Sequence, residues 1–124
     1  MGLMSNKRIG MDFEQEVCDY LTDKGYWVHF IEPAKDGGQP FDIIAVKDSV
    51  AFAIDCKTCA GNVIDEIRLE LNQILSFGKW LKCGNYMPIL ACKHGDNDIV
   101  WVRYDDLKRK KRIKLSEYKG EIVW

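Results

Sequence analysis

The sequence predicts an α/β fold, a mixed central β-sheet flanked by helices. Three observations predict it. Two segments carry apolar residues at helical spacing. Five short runs are rich in β-branched and aromatic residues. Turn-forming residues separate them in the order α-β-β-β-α-β-β.

Ile9, Phe13, Val17, Tyr20 and Leu21 recur at intervals of three and four and so share one helical face. Gly25 is a natural stop, which predicts a first helix over about residues 8–24. Tyr26-Trp27-Val28-His29-Phe30-Ile31 reads as a strand. Pro33 to Pro40, with Gly37-Gly38 at its centre, reads as a loop. Phe41–Val46 and Val50–Lys57 are apolar runs separated by Lys47-Asp48-Ser49, the pattern of a hairpin. Asn62 is placed to cap a second helix, with Ile67, Leu71, Ile74, Leu75 and Gly78 as its buried face and Gly84 closing it. Tyr86–Lys93 and Ile99–Tyr104 are two further strands around the turn residues His94 to Asp98. Asp105-Asp106-Leu107 starts a short helix that leads into a basic run. The first three strands form an antiparallel meander. A right-handed crossover through the second helix then sets the fourth strand parallel to the third.

Length and composition agree. A chain of 124 residues builds one core but not two, so residues 1–124 are read as a single domain with a basic segment at 108–114. With 47% hydrophobic and 30% charged residues it belongs with globular proteins, not with disordered or fibrous ones. No apolar run approaches the roughly 20 residues that span a bilayer. The opening MGLMSNKRIGMDFEQEV has no apolar signal core ahead of its charges, so a cytoplasmic location without membrane attachment is expected.

The net charge of −1 hides an asymmetry. Lys108, Arg109, Lys110, Lys111, Arg112 and Lys114 form a run without an acid, and the rest of the chain, with twelve basic and nineteen acidic side chains, carries −7. An acidic body with one basic stretch suggests a local anion-binding surface; a solvated charged tail is the plainer alternative. The five cysteines, Cys18, Cys56, Cys59, Cys83 and Cys92, are an odd count and read as reduced thiols. Cys56-Lys57-Thr58-Cys59 with Cys83, Cys92 and His94 raises a zinc reading, but Cys83 and Cys92 are nine apart and lack ligand spacing.

The chemistry concentrates in two strands. Asp55 and Lys57, in AFAIDCKT, are two apart and leave one face of a strand, with Ala51 and Ala53 leaving open space on that face. If Asp48 and Ser49 form a two-residue turn, Lys47 pairs with Val50 and Asp42, in QPFDIIAV, falls opposite Asp55, with Cβ atoms about 5 Å apart. Two facing carboxylates repel. A hard divalent cation between them reverses the sign, because Mg²⁺ takes carboxylate oxygens and keeps several waters. The plainer alternative is that both acids are ordinary polar strand ends.

Phe13-Glu14 on the first helix, then Pro40-Phe41-Asp42, then Asp55-Cys56-Lys57, in an α-β-β-β-α-β order, resembles the PD-(D/E)xK nuclease superfamily and its restriction-endonuclease-like core. Within it the chain is most similar to Holliday-junction resolvases of archaeal and of phage or Gram-positive type, over roughly residues 8–104. Gln73-Ile74-Leu75-Ser76-Phe77 is similar to the helical glutamine that follows the family's DxK strand. The acid at position 55 is Asp where resolvases usually carry Glu, and no Ser stands at the family's usual place in the loop before Asp42.

The resemblance implies a Mg²⁺-dependent DNA endonuclease, with Mn²⁺ as a substitute. Asp42 and Asp55 would ligate the ion, with the main-chain carbonyl of Cys56 as a third oxygen. Glu14 would bind a metal water or a second ion, although Asp12, Glu16 and Asp19 are equally available by position. Lys57 would hold the attacking water or steady the developing anion. Gln73 would position water or phosphate, against the alternative of an exposed helix residue. Lys35 and the 108–114 run would contact DNA. A branched, four-way junction needs two active sites, which implies a homodimer. Flap or restriction-type nucleases of the same superfamily, and a non-catalytic DNA-binding module of the same fold, are the alternatives.

Overall fold

The computed structural model describes residues 6–32 and 39–122, with side chains from Asp12 onward. The first helix, α1 (Asn6–Asp23), runs into strand β1 (Trp27–Phe30). Strands β2 (Ile43–Lys47) and β3 (Val50–Cys59) follow, then a short strand β4 (Val63–Asp65) and a 3₁₀ turn at Glu66–Arg68. Helix α2 (Leu71–Lys82) leads to β5 (Ile89–His94), β6 (Val100–Arg103), α3 (Tyr104–Lys110), β7 (Arg112–Lys114) and a last 3₁₀ turn at Leu115–Glu117.

Five strands form one sheet in the order β1-β2-β3-β5-β6. Only β3 and β5 run parallel, joined through α2; the other neighbours are antiparallel. This is the mixed, helix-flanked sheet expected from the sequence. Phe13, Val17 and Leu21 on α1 bury against Ile43, Phe52, Ile54 and Ala91 on one face. Phe77 on α2 buries with Phe41, Ala53, Leu90 and Val102 on the other. Strand alternation explains the split, since residues 52 and 54 leave β3 opposite to 53, 55 and 57. Gly25, at φ +91°, ends α1 and donates to the Thr22 carbonyl, turning the chain into β1.

The β2–β3 register fixes everything at the site. Lys47 pairs with Val50 and Ile43 with Ile54, as the two-residue turn requires. Asp48 and Ser49 both adopt positive φ, 52° and 66°, which matches the type I′ geometry suited to the twist of a hairpin.

Several expectations are corrected. Asn62 does not cap a helix; its Nδ2 donates to Ser116 Oγ at 2.7 Å, and α2 starts only at Leu71. The residues between form β4, which pairs with β7 so that Ile64 lies opposite Ile113, both buried. A three-residue strand is too short for alternation to reveal it. The buried face of α2 is Gln73 and Phe77, not Ile67, Leu71 and Leu75; these are 86%, 71% and 60% exposed, and Ile67 precedes the helix. Apolar spacing identifies a stripe, but it does not say whether the stripe meets this chain's core. The basic run is not a tail. It forms the end of α3 and all of β7. The loop centred on Gly37-Gly38 lies mostly outside the described residues.

The hairpin turn yields a prediction. Two non-glycine residues in left-handed backbone cost about 1–2 kcal/mol each relative to ordinary conformations, part of which glycine relieves. Ser49→Gly should therefore stabilise the protein by about 1 kcal/mol. Urea unfolding of both forms checks it; a loss of stability would mean the turn differs from type I′.

Candidate active site

Asp42 stands just ahead of β2, where the chain is already paired on both sides. Its amide donates to the Ile54 carbonyl at 3.2 Å, and its carbonyl accepts from the Ile31 amide at 2.7 Å. The side chain is buried. Oδ2 accepts from the Cys56 amide at 2.7 Å, and Oδ1 accepts from Gln39 Nε2. Asp55 lies in the middle of β3 and is 1% exposed. Its Oδ2 meets Lys57 Nζ at 2.9 Å and Gln73 Nε2 at 3.0 Å, while Oδ1 is buried and finds no donor.

Lys57 shares the face of Asp55, two residues on, and is itself buried. Its ammonium donates to Gln73 Oε1 at 3.2 Å. The same oxygen accepts the Glu70 amide at 3.2 Å, which helps to close the first turn of α2. One carboxamide thus caps a helix, holds the lysine and holds the acid. The alternative of Gln73 as an exposed helix residue is overturned, because it is 6% exposed and satisfied at both ends. Glu14, half-buried on α1, comes within hydrogen-bond reach of Asp42. Among its rivals Asp12 is exposed, Glu16 is drawn to Lys93 at 2.6 Å, and Asp19 accepts from Gln15.

The electrostatics follow from burial. Desolvation and the neighbouring Asp55 carboxylate push Asp42 up from its ordinary 3.8 to about 8, against the lowering effect of the Cys56 amide. Burial and Asp55 also raise Glu14. Burial, with Asp42 and Asp55 beside it, pushes the Cys56 thiol well up. Carboxylates in this position are short of positive charge. Among the described residues no three His, Cys, Asp or Glu side chains form a metal cluster; the buried pair is Asp42 with Asp55. A pair of carboxylates with an orphaned oxygen suits an ion that keeps most of its waters, as Mg²⁺ does, and not a tetrahedral zinc. Cys56 and Cys59 leave opposite faces of β3, so CxxC spacing on a strand does not gather thiols.

The structure therefore brings Glu14, Asp42, Asp55, Lys57 and Gln73 together. The residues expected to contact DNA have other partners where they are described. Lys35 is outside the described residues. Lys108 and Lys111 both reach Glu66, at 3.1 and 3.2 Å; Arg109 reaches Asp106 at 3.0 Å and Lys114 reaches Glu117 at 3.6 Å. Lys110 lies over the Tyr118 ring, 6.0 Å from its centre, and Arg112 is exposed on β7. Two residues escaped the sequence reading, Gln39 on Asp42 and Asn72, whose Nδ2 donates to the Gln39 carbonyl at 2.6 Å. Neither belongs to a periodic pattern; their closeness in sequence to Asp42 and Gln73 was the available signal.

Known proteins resemble the chain in sequence and in fold. A glutamyl-tRNA(Gln) amidotransferase subunit from Pyrococcus furiosus is 30% identical over 115 residues, 87% of this chain but 25% of the relative. The corresponding protein of Thermococcus kodakarensis matches to the same extent. The chain spans about a quarter of the length of these curated relatives. In structure it is similar to the Holliday junction resolvase Hjc of Archaeoglobus fulgidus, with a TM-score of 0.66 at 19% identity, covering 86% of this chain and 88% of that one, which shows a shared fold. The family model described as archaeal Holliday junction resolvase (Hjc) matches residues 5–120. That match takes in α1, the whole sheet and every residue of the acidic site, and the chain belongs to the archaeal Holliday junction resolvase family.

Proposed function

We propose that the protein is a Mg²⁺-dependent endonuclease that cleaves branched DNA, a four-way junction above all, by hydrolysis without a covalent enzyme intermediate. Family membership supports the substrate class. The observation that carries the chemistry is the buried Asp42–Asp55 pair with one Asp55 oxygen left without a donor. Asp42 and Asp55 would hold the ion, with the Cys56 carbonyl as a third oxygen and Glu14 on a bound water or a second ion. When bound, the cation would offset both carboxylates and acidify a coordinated water. Mn²⁺, also an oxygen-seeking divalent ion, would substitute.

Lys57 supplies the fixed positive charge. Held by Asp55 and Gln73, its ammonium cannot swing freely, so it meets a phosphate oxygen or the attacking water without being reorganised. Gln73 ties that ammonium to the Asp55 carboxylate through its two ends. The site is built by one chain, and a four-way junction presents two symmetric strands. A second copy related by a twofold axis would supply the second site. Ile67, Leu71 and Leu75 support that assembly, since three large apolar residues exposed within nine positions of the chain are unusual for a surface that stays wet.

Three outcomes test the reading. A labelled four-way junction should be cut with Mg²⁺ and not with EDTA, in preference to linear duplex and flap. Asp55→Asn should abolish cutting while leaving junction binding nearly intact. Cutting by that variant at the wild-type rate would remove the assigned site.

Metal-free stability should depend on Asp42 in a definite direction. Its folded pKa is raised, so the folded protein holds a proton that the unfolded chain has lost between about pH 4 and 8. The stabilisation is complete below the unfolded value and is lost as pH rises toward 8. Melting in EDTA should therefore fall from about pH 5 to about pH 8.5, and Asp42→Asn should flatten that fall. An equal fall in both proteins would place the proton elsewhere.

The dimer is tested by charge. Leu71→Lys with Leu75→Lys should leave the monomer fold intact, because both side chains are exposed. In sedimentation the double variant should shift to half the mass and should lose paired incision of the junction. An unchanged mass would exclude this stripe as the interface.

A further inference from the structure

We infer that Gln39 is a positioning residue for Asp42, anchored by Asn72 from the first turn of α2. The inference rests on reading Asp42 and Asp55 as the cation-binding pair. A carboxylate held at one oxygen still rotates about its last torsion, whereas one held at both has its plane fixed. The Cys56 amide holds Asp42 Oδ2 at 2.7 Å. The donor on Oδ1 is Gln39 Nε2. Without it, Oδ1 would have no amide donor.

Gln39 precedes β2 and belongs to no regular element, so something must hold it. Asn72 does so, by donating from Nδ2 to the Gln39 carbonyl at 2.6 Å. The next residue, Gln73, holds Asp55 and Lys57. Consecutive residues of a single helical turn therefore reach both acids, Gln73 directly and Asn72 through Gln39. The distance between the two carboxylates is set by one rigid piece of helix and does not depend on the loop alone. Such outer partners of a metal site typically change affinity or activity by about 10–100-fold when removed.

The test is Mn²⁺ binding by calorimetry to the full chain, with Mn²⁺-dependent junction cleavage and melting temperature measured beside it. Gln39→Met keeps the length of the side chain and removes the donor. It should weaken Mn²⁺ binding by about 10-fold and raise by a similar factor the Mn²⁺ needed for half-maximal cleavage, while the melting temperature stays near wild type. Asn72→Leu should shift both in the same direction by less, and Asn72→Ser takes its place if that variant fails to fold. Because Asn72 acts through Gln39, the double variant should bind no more weakly than Gln39→Met alone. Wild-type affinity in Gln39→Met overturns the inference, and fully additive losses overturn the role of Asn72. Asp42→Asn is the control that separates the two levels. If it binds Mn²⁺ as well as wild type does, the cation-binding reading itself falls and the inference falls with it.

Discussion

Two carboxylates side by side in a buried stretch of sheet are the constraint on which this structure turns. Asp42 and Asp55 face each other because a two-residue hairpin turn sets the register of β2 and β3. A slip of one residue would send Asp55 and Lys57 to the α1 face and leave Asp42 alone. Burial disfavours the charged form of Asp42 and the facing Asp55 carboxylate adds to it, so Asp42 is pushed to about 8, and the pair destabilises the sheet. The surrounding contacts are arranged to offset that. The Cys56 amide, Gln39, Gln73 and Lys57 each bring a donor to one of the two carboxylates. They stop one oxygen short, at Asp55 Oδ1. A site built for stability alone would have closed that gap with a donor or replaced the acids with apolar residues.

Helix α2 is where fold and chemistry meet. Its first turn carries Asn72 and Gln73 toward the acids, and one turn further on Phe77 stacks against Phe41, ahead of Asp42, at 5.9 Å between ring centres. The packing that places the helix on the sheet thus also fixes the amides on the acids. Gln73 accepts the Glu70 amide, so the start of the helix depends on the same side chain. This coupling explains why a glutamine, and not a longer charged residue, occupies the position. It needs one acceptor for Lys57 and the helix start and one donor for Asp55, and a carboxamide carries both.

Much of this was legible in the sequence, for physical reasons that can be named. The sheet order followed from alternating apolar runs and a crossover rule with few solutions. Asp42 opposite Asp55 followed from turn length alone. Beyond Gln39 and Asn72, what escaped was of two kinds. The β4–β7 ribbon consists of three-residue strands far apart in the chain, and has no periodic signal. The second kind is the orientation of α2. Leu71 and Leu75, with Ile67 ahead of them, are a true apolar stripe, but it faces out, while a polar residue, Gln73, faces in. Binary patterning assigns apolar residues to the core and polar ones to water, so it fails where a polar side chain is buried with partners at both ends and an apolar stripe stays exposed.

The basic run shows how sequence and structure weigh the same residues differently. As sequence, six cations without an acid look like a concentrated source of attraction for phosphate. In the fold, Glu66, Asp106 and Glu117 come alongside and Asp65 stands opposite Arg112, so six positive charges stand against four negative ones. Glu66 is shared by two lysines and held below its ordinary range by them. These pairs are largely exposed, and exposed pairs contribute only about 0–1 kcal/mol each. A phosphodiester backbone, with one charge every ~1.7 Å along a duplex, competes well against such partners. The pairs therefore order the basic side chains on α3 and β7 without locking them. On the proposed function, an acidic site that receives a polyanion would gain more from cations held in a defined place and released at low cost than from cations that sample solvent on a free tail.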